Sequence, residues 1–181
     1  MKLRLTPFNN YLVAAGLLCL ALGCASSGSD SKKPSKKEAT GLRLFLETSQ
    51  DPGAKGNAVP IYRAHPMPVN VERTWFIDEG DVMQAAVVDV VGGFAIQIQF
   101  NFHGALALEN ATVTHRGLRI AVWANWNQTR WLAAPMISAP LKDGVLTFTP
   151  DATREESDRI VRGLNNLAEK LGNKPKSKDK S

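Results

Sequence analysis

The sequence predicts an α+β sandwich of antiparallel strands with two helices packed on one face. Three observations lead there. Two strand-like runs, 85–91 and 94–100, flank Gly92-Gly93, the composition of a tight hairpin. In the second run Phe94, Ile96, Ile98 and Phe100 share one face while Ala95, Gln97 and Gln99 share the other, as in a sheet covered on one side. Thr153 with Glu156 three residues on forms a capping box, and Ile160, Leu164, Leu167, Ala168 and Leu171 follow at helical spacing.

The chain opens on a basic head, Met1-Lys2-Leu3-Arg4, followed by an uncharged, largely apolar run to Gly23. That run is short for a bilayer span of ~20 residues and has the layout of a signal peptide. Ala21-Leu22-Gly23-Cys24 resembles a bacterial lipobox, with the usual Leu and Ala exchanged. A cleaved secretory signal or a fixed anchor is the alternative. The expected arrangement is a lipoprotein signal peptide over 1–23, a lipidated Cys24, and a Ser- and Lys-rich tether to residue 41. The body follows over 42–171, then a basic tail over 172–181. After cleavage before Cys24 only that cysteine remains, so the domain has to hold together by its core rather than by a disulfide. More than one acyl chain, at ~0.8 kcal/mol per buried methylene, makes a stable anchor.

The 181-residue chain has a formal net charge of +5. The charge is at the ends. Lys2 and Arg4 carry +2, residues 25–41 carry +2 and residues 172–181 carry +3, leaving the body at −2. Nothing in the body reads as a basic patch, so no nucleic-acid partner is expected. The tether lysines are placed to meet anionic headgroups or simply to keep it soluble.

Along the body, Leu42, Leu44 and Leu46 alternate with Arg43, Phe45 and Glu47 as a strand. Residues 49–57 read as a loop, 59–63 as a short strand, and Pro66 and Pro68 as breaks before an extended stretch to Ile77. Asp78-Glu79-Gly80-Asp81 opens a short helical turn. Asn101 caps a helix to about Thr114, with Phe102, Ala105, Leu106 and Val113 as inward candidates, and Gly117 ends it. Residues 118–126 form a strand and Asn127-Gln128-Thr129 a turn. Residues 131–137 are extended, with Pro135 marking an edge or a bulge. Asp143-Gly144 turns the chain into a last strand over 145–149.

From Asn101 on, a helix ending THRGLRIAVWANW, then WLAAPMISAPLKDGVLTF, then a helix with LNNLAEKL resembles a known family. It is the head subdomain of the large periplasmic (P1) region of the SecD/SecDF translocase subunit. Thr112, Gly117, Arg119, Ile120 and Ala121 match the family's first strand and its lead-in. Ala134, Pro135 and Ile137 match the second, Gly144 the turn, and Glu156 with the leucines the closing helix. The match spans 42–171 and is carried by the residues from Val82 on. It implies a ferredoxin-like α+β fold, an antiparallel sheet with helices packed on one face. It also implies a non-enzymatic role beside exported polypeptides or Sec translocase components. Unlike the family's membrane-embedded subunits with their proton-coupled motor, this chain reads without a membrane span after Cys24. A structural or adaptor envelope lipoprotein reusing the fold is the other reading, since fold does not fix function. Ala25 and Ser26 after the cysteine resemble an outer-membrane address, with the domain facing the periplasm.

The candidate sites are few. His65, His103 and His115 are the only histidines, and no cysteine or carboxylate cluster joins them, so neither an enzyme nor a metal or other cofactor is expected. Asp78, Glu79 and Asp81 offer too few alternating oxygens for a calcium loop. Trp123, Trp126 and Trp131 flank one turn. Burial explains them, and so does a groove for an extended peptide beside the Pro135-containing edge strand.

Overall fold

Alternation makes the first strand the spine of the larger sheet. In β1 (Gly41–Leu46), Leu42, Leu44 and Leu46 turn into the core while Arg43 and Phe45 turn away from it. The computed structural model describes residues 38–48 and 56–173. The signal segment, Cys24, most of the tether and the tail from 174 lie outside the described residues, as does most of the loop expected over 49–57.

Two sheets and a hairpin follow. β1 pairs with the two-residue β4 (Ile77–Asp78) on one side and β7 (Ile120–Asn125) on the other, and β7 pairs with β8 (Thr129–Ala133), giving the order β4-β1-β7-β8. β5 (Val82–Val90), β6 (Gly93–Phe100) and β9 (Val145–Phe148) form a second sheet in the order β5-β6-β9. β2 (Gly56–Ile61) and β3 (Met67–Glu72) pair by themselves. With α1 (Phe102–Thr114) and α2 (Arg154–Leu171), this is the expected α+β class, with every strand pair antiparallel.

The main core joins Leu44 and Val122 of the larger sheet, Ile96 and Phe100 of the second, Leu108 of α1 and Ile160 and Leu164 of α2. Each such side chain stabilises the fold by about 1.5–3 kcal/mol when buried. A smaller cluster of Ile61, Val69, Val71, Ala121 and Ala134 lies on the other face of the larger sheet, with Phe45 and Trp131 against it. The β2–β3 hairpin covers that face, so β1 and β7 are packed on both sides.

Local signals place most elements. The capping box of α2 is complete: the Glu156 N–H donates to the Thr153 hydroxyl at 3.2 Å, and the Thr153 N–H donates to the Glu156 carboxylate at 2.9 Å. Gly172 closes the helix at φ 77°, where an L side chain is strained. The β5–β6 hairpin forms one residue earlier than expected. Val90 pairs with Gly93, so the tip is Val91-Gly92, with Gly92 at φ 87°. Pro68 does not break the chain but sits within β3, directly opposite Pro60. Two opposed residues exchange both main-chain bonds or neither, and two prolines satisfy only the second arrangement.

α1 keeps its expected bounds but turns the other way. Phe102, Leu106 and Val113 are 86%, 57% and 52% exposed, and Gly104, Leu108, Ala111 and Thr112 are buried. Small size decides this. A Cβ on Gly104 would lie 2.8 Å from Asp81 Cβ and 2.9 Å from Phe100 Cβ, so the helix seats by its backbone. Thr112 donates to the Leu108 carbonyl at 2.8 Å and accepts from the Leu141 N–H at 3.0 Å, which satisfies a buried hydroxyl. Ala95 is also buried, although it lies on the face of β6 expected to be wet.

Candidate functional site

A sheet's outer strand leaves main-chain donors and acceptors for something to satisfy. β5 is such a strand, and α2 closes it. The Asn165 amide accepts from Ala85 N at 2.8 Å and donates to Ala85 O at 2.9 Å, so one side chain stands in for a paired strand. β8 and β9, the outer strands of the two sheets, face each other instead. They meet at one end, where Asp151 N donates to Leu132 O at 2.7 Å. Beyond that bond they part.

Two hollows fill the gap, of about 450 and 330 Å³. Pro135 and Thr147 line both. Tyr62, Ala95 and Phe148 join them in the first, and Met136, Ile137 and Leu141 in the second. Met136 is 56% exposed.

Strand alternation sets which backbone groups face the gap. Ile120 N donates to Pro135 O at 3.0 Å and Ile137 N to Leu118 O at 2.8 Å, so Pro135 and Ile137 spend their main chain on β7 and its lead-in. The main chain of Ala134 and Met136 then points outward. Across the gap, Phe100 N donates to Gly144 O at 2.9 Å, and in that register Leu146 and Phe148 face β6. Val145 and Thr147 therefore turn their main chain away from β6. The Val145 N–H is taken by the Asp143 carboxylate at 3.1 Å, and Thr147 turns its N–H and C=O to the gap. Arg119 Nη1 already donates to Ala134 O at 3.1 Å. The site offers two strand edges, a mixed lining in which Gln97, Ser138 and Thr147 stand beside Pro135, Met136 and Leu141, and Asp143 as its one acidic side chain. Such an arrangement can add an extended segment by main-chain bonds.

The candidate residues do not converge. Pro135 lines the cleft, and none of the three tryptophans lines either hollow. Trp123 and Trp131 are partners across the β7–β8 hairpin, on the outer face of the larger sheet. Trp131 meets Phe45 edge-on at 5.2 Å, and the Arg43 guanidinium lies 4.0 Å from the Trp75 ring and 5.2 Å from Trp123. Trp126 packs against the main core at the turn, with Arg130 5.2 Å over its ring. Arg130 in turn pairs with Glu156 at 3.1 Å. Burial pushes the Glu156 carboxyl up, but the Thr153 N–H, Arg130 and Gln128 together outweigh it and hold the carboxyl below its ordinary value. Trp75, Thr147 and Met136 were not singled out by sequence. Thr147 had only its place in the last predicted strand to mark it.

No reactive set gathers here. Among the described residues no three His, Cys, Asp or Glu side chains come together as a metal site. His103 bonds Asp81 at 2.8 Å, and the His115 ring nitrogen lies 3.1 Å from the Ala111 carbonyl.

Against solved structures, the chain matches SecDF in its super-membrane-facing form with a TM-score of 0.52 and 18% identity over 71% of its length. The fold is SecDF-like. A second SecDF structure, described as a membrane component that enhances protein export, aligns over the same 71% at 18% identity with a TM-score of 0.49. The chain spans 19% and 63% of those two proteins. No family model and no curated protein matches the sequence. The SecDF-like fold of this chain includes no helix, among the described residues, long and apolar enough to cross a membrane.

Proposed function

We propose that this chain is a non-catalytic, lipid-anchored envelope protein that holds extended segments of exported polypeptides, as an accessory to protein export. The observation that carries it is the open pair of strand edges at β8 and β9 within a SecDF-like fold. A segment entering there bonds the outward main chain of Met136 on one side and Thr147 on the other, while Pro135, Met136 and Leu141 accept its apolar side chains. Main-chain recognition is tolerant of sequence, which suits a protein meeting many unfolded chains. Acylation at Cys24 supplies the membrane attachment, with the domain in the periplasm and the outer membrane as its address.

The test is in-cell crosslinking from a photoreactive residue at Met136, with the Trp131 position and a Cys24→Ala chain for comparison. The reading expects adducts with exported chains or Sec components from Met136, few from Trp131, and their loss without Cys24. Adducts confined to other envelope proteins would replace it with an adaptor role.

A further inference from the structure

The two sides of the cleft hold the register of a ladder that has not formed. They run antiparallel: 133 and 135 share the first hollow with 147–149, and 135–138 share the second with 145–147. The bond from Asp151 N to Leu132 O sets the register. Counted in steps of two from that bond, Ala134 comes opposite Thr149, Met136 opposite Thr147 and Ser138 opposite Val145. Alternation turns the main chain of each of these residues to the gap. Continued through them, the ladder would join the two sheets into one.

Side chains hold the main-chain groups that would continue it. The next bond after the one at Leu132 would run from Thr149 N to Ala134 O, and Arg119 Nη1 already donates to that carbonyl at 3.1 Å. Ala134 O points away from β7, so a guanidinium that reaches it sits on the open side. At the other end the bond would run from Val145 N to Ser138 O, and both of its groups are taken. Arg116 Nη2 donates to Ser138 O at 3.2 Å, and the Asp143 carboxylate accepts from Val145 N at 3.1 Å. Each of these caps carries a charge, which makes it stronger than the neutral main-chain bond it displaces. Between the capped positions, Met136 and Thr147 carry the outward groups that no cap reaches.

We infer that Arg116, Arg119 and Asp143 are positioning residues that hold the cleft open by occupying the bonds through which β8 and β9 would zip shut. The competitor for the cleft is then the chain's own ladder, and the caps set the fraction of molecules that stay open. An extended segment enters only the open state, so its apparent affinity scales with that fraction. The inference deepens the polypeptide-binding reading, and its affinity measurement rests on that reading. Its exchange measurement does not.

The test is amide hydrogen exchange on the full chain, read at Met136 and Thr147. It compares the unchanged chain with an Arg116→Met, Arg119→Met chain and an Arg116→Lys, Arg119→Lys chain. Methionine keeps an apolar stem and removes the donors, while lysine restores a charged donor. Arg116 is exposed, so Arg116→Met alone is the milder variant and should move in the same direction by less. In the double methionine chain the Met136 and Thr147 amides should slow on the order of tenfold, with the Ala85 amide unchanged. The lysine chain should recover free exchange. Capture of an end-capped peptide of alternating valine and threonine should weaken in the methionine chain by the same factor as exchange slows, because both report the open fraction. Met136 and Thr147 amides that exchange equally fast in all chains would overturn the inference, as would slowing that lysine does not reverse. A peptide that binds none of the chains would sink the polypeptide-binding reading, and the exchange rates would still decide whether the caps hold the cleft open.

Discussion

β5 and the β8–β9 pair pose the same problem and solve it differently. Each is the edge of a sheet with main-chain groups to satisfy. At β5 the Asn165 amide bonds both groups of Ala85 and shuts the edge. At β8 and β9 the main-chain bond from Asp151 N, just past β9, to Leu132 O of β8 ties one end, and beyond it the edges stay apart around a cleft with a mixed lining. The difference teaches where this fold spends side chains on closure, and so where a partner can enter.

Breaking the closed edge should cost most. A Cβ on Gly163 would run into Thr40, whose hydroxyl and N–H lie against the helix. Gly163→Val should force α2 away from Thr40 at the start of β1, loosening the helix that closes β5, and cost about 3 kcal/mol or more, read as a lowered urea midpoint. Asn165→Leu keeps the helix seated but leaves Ala85 N and O unpaired, a loss of about 2 kcal/mol by the same measurement.

Glu156 comes next, because it ties the start of α2 to Arg130 of β8. Its carboxyl is held below its ordinary value, so its contribution is full above the unfolded pKa and is lost as pH falls through the lowered one. Glu156→Gln should cost about 1 kcal/mol at neutral pH. That deficit should shrink in acid, where urea midpoints of the two chains converge. The smallest effect belongs to the open edge. Thr147→Pro removes an N–H that β6 does not use, so stability should change by less than about 1 kcal/mol while peptide capture is lost.

Elements set by their own residues were legible in the sequence. The Thr153–Glu156 box, the Asn101 cap and the glycines after β5 gave α2, α1 and the hairpin nearly to the residue, because capping and turn chemistry act within a few positions. The face of α1 was not legible. Phe102, Leu106 and Val113 are as apolar as Leu108 and Ala111, so periodicity offers two stripes and only the Gly104 approach chooses between them. The site was half legible. Pro135 does lie on an outer stretch of the sheet, but its nitrogen faces Ile120 of β7, so the proline gives up a ladder bond on the paired side and not at the open edge. The tryptophans misled as a group. Trp123 and Trp131 share a face as hairpin partners, while Trp126 lies past the strand end, where alternation no longer holds. Thr147 could emerge only once strand order put β9 opposite β8.

Amide hydrogen exchange, with and without an excess of a soluble extended peptide, tests the contrast between the edges most directly. The account predicts a protected Ala85 amide throughout, and Met136 and Thr147 amides that exchange freely alone and slow when peptide is present. Met136 and Thr147 amides already protected in the free protein, or unchanged by saturating peptide, would contradict the open edge as the binding site.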